Sequence, residues 1–146
     1  MRARIEAELA GRLSEGEPSA PNLYGFPTVE DCDGERRSLI LRYRTYPWME
    51  NHLHILHGGV IAMVMDNSMG LAALGLCGRV TPTISMTLSY CRPVLSGPDI
   101  LAEVRVVSID GATAQATARL YQEGGQDSLV LAAGVYYVGE KRPAVK

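Results

Sequence analysis

Cysteine is scarce in this sequence. The three present, Cys32, Cys77 and Cys91, form no CxxC pair, and an odd number at wide spacing reads as reduced thiols of a cytoplasmic protein rather than a disulfide framework. None lies in an activating motif, so packing is their better reading. Cationic excess is also lacking: 14 Lys and Arg stand against 16 Asp and Glu, which leaves nothing to attract a polynucleotide. The N-terminal residues mix charges and form no apolar secretion signal. There is no internal repeat and no low-complexity tract. The one long apolar run, Val60 to Cys77, carries Asp66, Asn67 and Ser68 near its centre, where a carboxylate would be costly in lipid. No membrane span is therefore expected. What is there is a globular balance, 47% hydrophobic and 21% charged, enough to build a core without disulfides or metal. At 146 residues the expectation is a single domain over 1–146.

Hydrophobic periodicity then divides the chain. Ile5, Leu9 and Leu13 recur at steps of four and predict a short N-terminal helix, which together with a Pro- and Ser-rich linker occupies 1–19. Strands are expected over Gly25–Asp31 and Arg37–Thr45, joined at an Asp33-Gly34 turn. Pro47 to Leu56 reads as irregular loop. His57-Gly58-Gly59 opens a helix that should end near Leu76, with Gly78 as its stop signal. Being apolar on nearly every side, this helix is expected to be buried all round. The period then changes to two: Val80, Pro82, Ile84, Met86, Leu88 and Tyr90 alternate with Thr and Ser, predicting a strand with one polar face. Turn signals at Ser96-Gly97-Pro98, Asp110-Gly111 and Gly124-Gly125 bound strands over Ile100–Ile109, Thr113–Gln122 and Leu129–Val138. A polar tail fills 139–146. The order predicts an α+β fold, with an antiparallel sheet wrapped around one long central helix and the last four strands in meander.

Asp66 is the most informative residue. A carboxylate in the middle of an apolar helix must be compensated or shifted in pKa; it either pairs with a distant arginine or caps a loop, or serves as a catalytic base or nucleophile. At the start of the same helix, Gly58 and Gly59 offer backbone N–H groups without helical partners, at the positive end of the dipole. Glycine lets a ligand approach that backbone closely, which suits a site that polarises a carbonyl. Gly58 and Asp66 are eight residues apart, roughly 12 Å along a helix, whereas a reacting carbonyl needs its nucleophile within about 3–3.5 Å. Two copies with antiparallel helices would bring each Gly58 to the other chain's Asp66, so a homo-oligomer, dimer or tetramer, is expected. Asn67 points about 100° away from Asp66 and reads as packing or a helix-pair contact. His52, His54 and His57, with Glu50, match no zinc spacing, and no metal is expected.

The run from Asn51 through His57-Gly58-Gly59 to Asp66-Asn67 resembles the active-site segment of hotdog-fold acyl-CoA thioesterases of the phenylacetate-pathway and thioesterase-superfamily-member-2 type. The segment Thr83 to Val94 resembles the strand that follows in those proteins. The resemblance implies a hotdog fold, a cytoplasmic thioester hydrolase acting on acyl-CoA, and no cofactor beyond the coenzyme A of the substrate. It implies that Gly58 polarises the thioester carbonyl, with Asn51 holding the carbonyl or water and His57 bracing the loop. A partner chain's Asp66 would act as base or nucleophile, and Thr83, or Ser85 in its place, would orient the water. By the same resemblance Arg79, Arg92, Lys141 and Arg142 are candidates for the coenzyme A phosphates, although each also fits a solvated surface charge. Met63, Met69 and Met86 are candidates for the acyl pocket, or plain core. The competing classes are a hotdog enoyl-CoA hydratase or dehydratase, whose His is itself catalytic, and a non-catalytic acyl-CoA binding protein.

Overall fold

Leu39, Leu41 and Tyr43 alternate with Ser38, Ile40 and Arg42, and in the computed structural model the first set is buried and the second half-exposed. That is the pattern of a strand covered on one face. The structure describes residues 1–14 and 27–139. Its elements are α1 (Arg2–Ser14), β1 (Thr28–Asp33), β2 (Ser38–Tyr43), a 3-10 turn (Pro47–Met49), α2 (Gly58–Cys77), β3 (Thr83–Tyr90), β4 (Ile100–Asp110), β5 (Thr113–Gln122) and β6 (Val130–Tyr137). The strands form one antiparallel sheet in the order β1-β2-β4-β5-β6-β3. Helix α2 packs Ile61, Val64, Met65, Met69 and Leu71 against Leu39, Leu41, Ile100, Val104, Leu120 and Val130 of the sheet. The α+β expectation of a sheet around a central helix is met.

Four expectations need correction. First, the last four strands are not one meander. β4, β5 and β6 are joined by hairpins, but β3 lies at the far edge beside β6, and β2 takes the place next to β4. The link from Cys91 to Asp99 is too long for a tight turn and instead bridges Leu95 to Ile55, so β3 and β4 have no local reason to pair. Second, α2 is not buried all round: Gly59, Met63, Asp66, Asn67, Gly70 and Leu74 form an accessible stripe at helical spacing. By length and composition this helix could cross a membrane, yet half of its apolar window is buried in the protein. Third, the β1–β2 turn lies one step past the Asp33-Gly34 signal: Asp33 is the last residue of β1, paired with Ser38, and the turn spans Gly34 to Arg37. Asp33 Oδ1 accepts the N–H groups of Glu35 (2.9 Å) and Arg36 (3.0 Å), and the positive φ of 55° falls on Arg37. Fourth, the loop Pro47–Leu56 is ordered by its 3-10 turn and by a bridge from Glu50 to Leu56.

The helix ends follow the sequence signals closely. Gly78 closes α2 in the left-handed conformation (φ 65°), its N–H donating to Leu74 O at 2.7 Å, as C-terminal glycines do. Helix α1 buries Ile5 and Leu9 and sends Arg4 to the carbonyls of Gly75 (3.3 Å) and Leu76 (3.0 Å), a cation on the negative end of the α2 dipole. β1 begins later than expected; residues 25 and 26, most of the linker, and Lys141 and Arg142 of the tail lie outside the described residues.

Candidate active site

The N-terminus of α2 is built by the loop before it. Asn51 Oδ1 accepts the N–H of Leu53 at 2.9 Å, and Asn51 N–H donates to Ile55 O at 2.8 Å. The side-chain oxygen is thus spent on the turn, and the amide NH2 is the part of Asn51 left to meet a ligand. His57 is the N-cap, with extended backbone (φ −62°, ψ 134°). Its Nδ1 accepts the Gly59 N–H at 2.9 Å, which requires the ring proton to sit on Nε2. His57 therefore braces the helix start, and Gly59 N–H is not available to a substrate carbonyl. Gly58 N–H is. Tyr90, from the end of β3, donates its hydroxyl to Gly58 O at 2.7 Å.

Two turns along α2, Asp66 is half-buried and faces β3 and β6. Its Oδ1 accepts from Thr83 Oγ1 at 2.7 Å and from Tyr136 Oη at 3.0 Å. Tyr136 also lies 3.2 Å from the Asp66 carbonyl. Burial, and then the charge and hydrogen bond of Asp66, push the Tyr136 hydroxyl well above its ordinary pKa. It is a fixed donor. Gly134 makes room for its ring: a Cβ there would come within 2.8 Å of Tyr136. The carboxylate borders a cavity of about 250 Å³ whose walls include Asn67, Gly70, Leu74, Thr81 and Thr83. The alternative in which Asp66 pairs with an arginine finds no such contact among the described residues.

Thr83 reaches Asp66 through an irregularity. The β3–β6 register pairs Thr83 with Tyr136 and Ser85 with Val135, with Ile84 as the extra residue of a bulge. Directly opposed residues share a sheet face, so Thr83 joins Tyr136 on the helix side while Ser85, Thr87 and Ser89 face outward. A regular strand would have put Thr83 and Ser85 together. Ser85 is therefore removed from Asp66 within this chain.

The remaining candidates scatter. Arg79 is exposed just beyond α2, and Arg92 is exposed and paired with Asp127 at 2.6 Å. Met69 is fully buried core, Met86 packs half-buried against it, and Met63 is 39% exposed on the accessible stripe. Asn67 donates to the Tyr43 hydroxyl at 2.9 Å, packing α2 on β2. No metal-binding group of three ligands occurs among the described residues. Burial pushes the Cys32 and Cys77 thiols up, away from the thiolate. Two residues with no site role in the sequence reading, Tyr136 and Tyr90, touch Asp66 and the Gly58 turn. Tyr136 had a usable signal: it is the one polar group on an inward face otherwise made of Val130, Ala132 and Gly134, and a buried phenol needs a partner.

One long helix on a six-stranded antiparallel sheet, with a mid-helix carboxylate and a glycine N-terminus, defines a hotdog-fold domain. The thioesterase superfamily model matches residues 53–129, over half of the chain, and the chain belongs to that superfamily. It is 34% identical over 87 residues to the Xenopus laevis protein named acyl-coenzyme A thioesterase THEM4. The match takes in 60% of this chain but only 39% of that longer protein. Zebrafish thioesterase superfamily member 2 superposes with a TM-score of 0.79 at 18% identity, covering 92% of this chain and 96% of that one. Escherichia coli PaaI, from the phenylacetic acid degradation operon, gives a TM-score of 0.75 at 17% identity, covering 93% and 94%.

Proposed function

We propose that this protein hydrolyses acyl-CoA thioesters to free acid and coenzyme A, in sites shared between two copies of the chain. The observation that carries the reading is the mounting of Asp66: two hydroxyls hold Oδ1 beside a cavity, and Oδ2 is left to face a water or a carbonyl carbon. The Gly58 N–H, at the positive end of α2, receives the thioester oxygen. Asp66 takes a proton from water as the water oxygen bonds to the carbonyl carbon. The tetrahedral oxyanion rests on Gly58, the C–S bond breaks, and the proton passes to the departing thiolate. Direct attack by Asp66, giving an anhydride that water then opens, uses the same groups. A thioester is already activated, so one carboxylate, one oriented N–H and water suffice without a cofactor. The name of the Xenopus relative supports acyl-CoA as the substrate class. A hydratase route through His57 is disfavoured because His57 Nδ1 is occupied by Gly59 N–H.

Sharing of sites follows from the same separation of roughly 12 Å between Gly58 and Asp66 along one helix. The accessible stripe of α2, where Met63 is 39% exposed, and the edge strand β3, where Ile84 is 55% exposed, offer apolar side chains to a second copy. The test is thiol release from a panel of acyl-CoAs. Asp66→Asn is expected to lower kcat by about 10²–10⁴-fold in a chain that remains folded. Undiminished release by that variant, or hydration of an enoyl-CoA without thiol release, would overturn the reading.

A further inference from the structure

We propose that Tyr90 is a positioning residue for the carbonyl-binding end of the site, an inference that rests on the functional reading above. Two successive peptide planes, 57–58 and 58–59, have four polar ends between them. His57 O accepts the Ile61 N–H at 3.1 Å. Gly59 N–H donates to His57 Nδ1 at 2.9 Å. Gly58 O accepts the Tyr90 hydroxyl at 2.7 Å. Among the described residues only Gly58 N–H is left unclaimed, and it is the group a thioester oxygen would meet. The second plane is gripped from both sides, by a phenol on its oxygen and an imidazole on its nitrogen, so the direction of the neighbouring N–H is fixed before substrate arrives. Preorganisation of this kind is what makes a donor effective in the transition state.

The phenol lies directly on this turn: a Cβ at position 58 would sit 3.4 Å from the Tyr90 ring and hydroxyl, in ordinary van der Waals contact. Stability does not account for the contact. Tyr90 is 52% exposed at the end of an edge strand, where water can replace its hydrogen bond at little cost. The strand that ends in Tyr90 begins with Thr83, the residue on Asp66. β3 thus carries one hydroxyl to each reactive centre.

The test is Tyr90→Phe, which keeps the ring against Gly58 and removes only the donor, measured beside wild type, Asp66→Asn and His57→Ala on one acyl-CoA. The expected result is a kcat lowered about ten- to a hundredfold, a KM within about twofold, and an unchanged melting temperature. Because His57 and Tyr90 grip the same plane, the double variant should lose less than the product of the two single losses. Wild-type kcat in Tyr90→Phe, strictly multiplicative losses, or a kcat loss matched by a fall in melting temperature would each overturn the inference while leaving the hydrolase reading intact. Failure of wild type to release thiol from any acyl-CoA would instead overturn that reading, and this inference with it.

Discussion

Tyr136 joins the buried sheet face to the acid of the site, and its hydroxyl has a consequence that reaches beyond catalysis. Burial and the Asp66 charge raise its pKa in the folded chain above the value of about 10 expected when unfolded. The fold therefore keeps a proton that the unfolded chain releases. Its contribution to stability is fully present below about pH 10 and is lost as pH rises from there toward the native value. Tyr136→Phe should flatten that alkaline decline, cost about 1 kcal/mol at neutral pH, and lower kcat by loosening Asp66. Urea melts of both proteins between neutral pH and pH 11 check this. Tyr121, Cys32 and Cys77 are raised as well, but by burial and charges other than Tyr136, so the difference between the two proteins isolates Tyr136. At this scale the sequence was readable where a residue violates its surroundings: Asp66 in an apolar helix, glycines at a helix start. It was quieter where a residue fits its element: the place of Tyr136 on the inward face of β6 signals that its hydroxyl has a partner, but not that the partner is Asp66.

Helix α2 was legible almost to the residue because its two ends are chemical events, a capped glycine start and a left-handed Gly78. The placing of β3 was not. Its period reveals a strand but says nothing of whether β4 or β6 will be its neighbour, since pairing depends on a link that crosses the sheet. Nor does period two reveal a bulge, and the polar side of Thr83, Ser85, Thr87 and Ser89 is split by the extra residue Ile84. The contact between α1 and α2 gives an element-scale prediction. A Cβ at Gly75 would lie 2.8 Å from Ile5 Cγ1 and 3.0 Å from Met1 Cγ, and Ile5 is fully buried. Gly75→Ala gains helix propensity of up to about 1 kcal/mol but overpacks by about 1–3 kcal/mol. The expected outcome in a thermal melt is a midpoint lowered by a few degrees, with kcat of the folded enzyme unchanged.

For the whole molecule, the shared-site reading makes a prediction that no single-chain site could satisfy. Gly58→Pro removes the N–H proposed to bind the carbonyl, and proline is well tolerated as the first residue of a helix. The extended backbone of His57 (φ −62°, ψ 134°) is what a residue before proline adopts. Gly58→Pro and Asp66→Ala should each be inactive alone. Co-expressed in equal amounts, they should recover about a quarter of wild-type activity, because half of randomly formed dimers are mixed and each mixed dimer holds one intact site of two. A mixture as inactive as its parts would place both groups of each site in one chain. β3 gives this arrangement a mechanical side. Its first and last residues rest on Asp66 and on the Gly58 turn, while its outer rim has no neighbour among the described residues. A subunit docking along that rim would do more than bring the missing half of each centre: it would stiffen the one rail on which both halves of its host are mounted, so that assembly and catalytic readiness arrive in the same event.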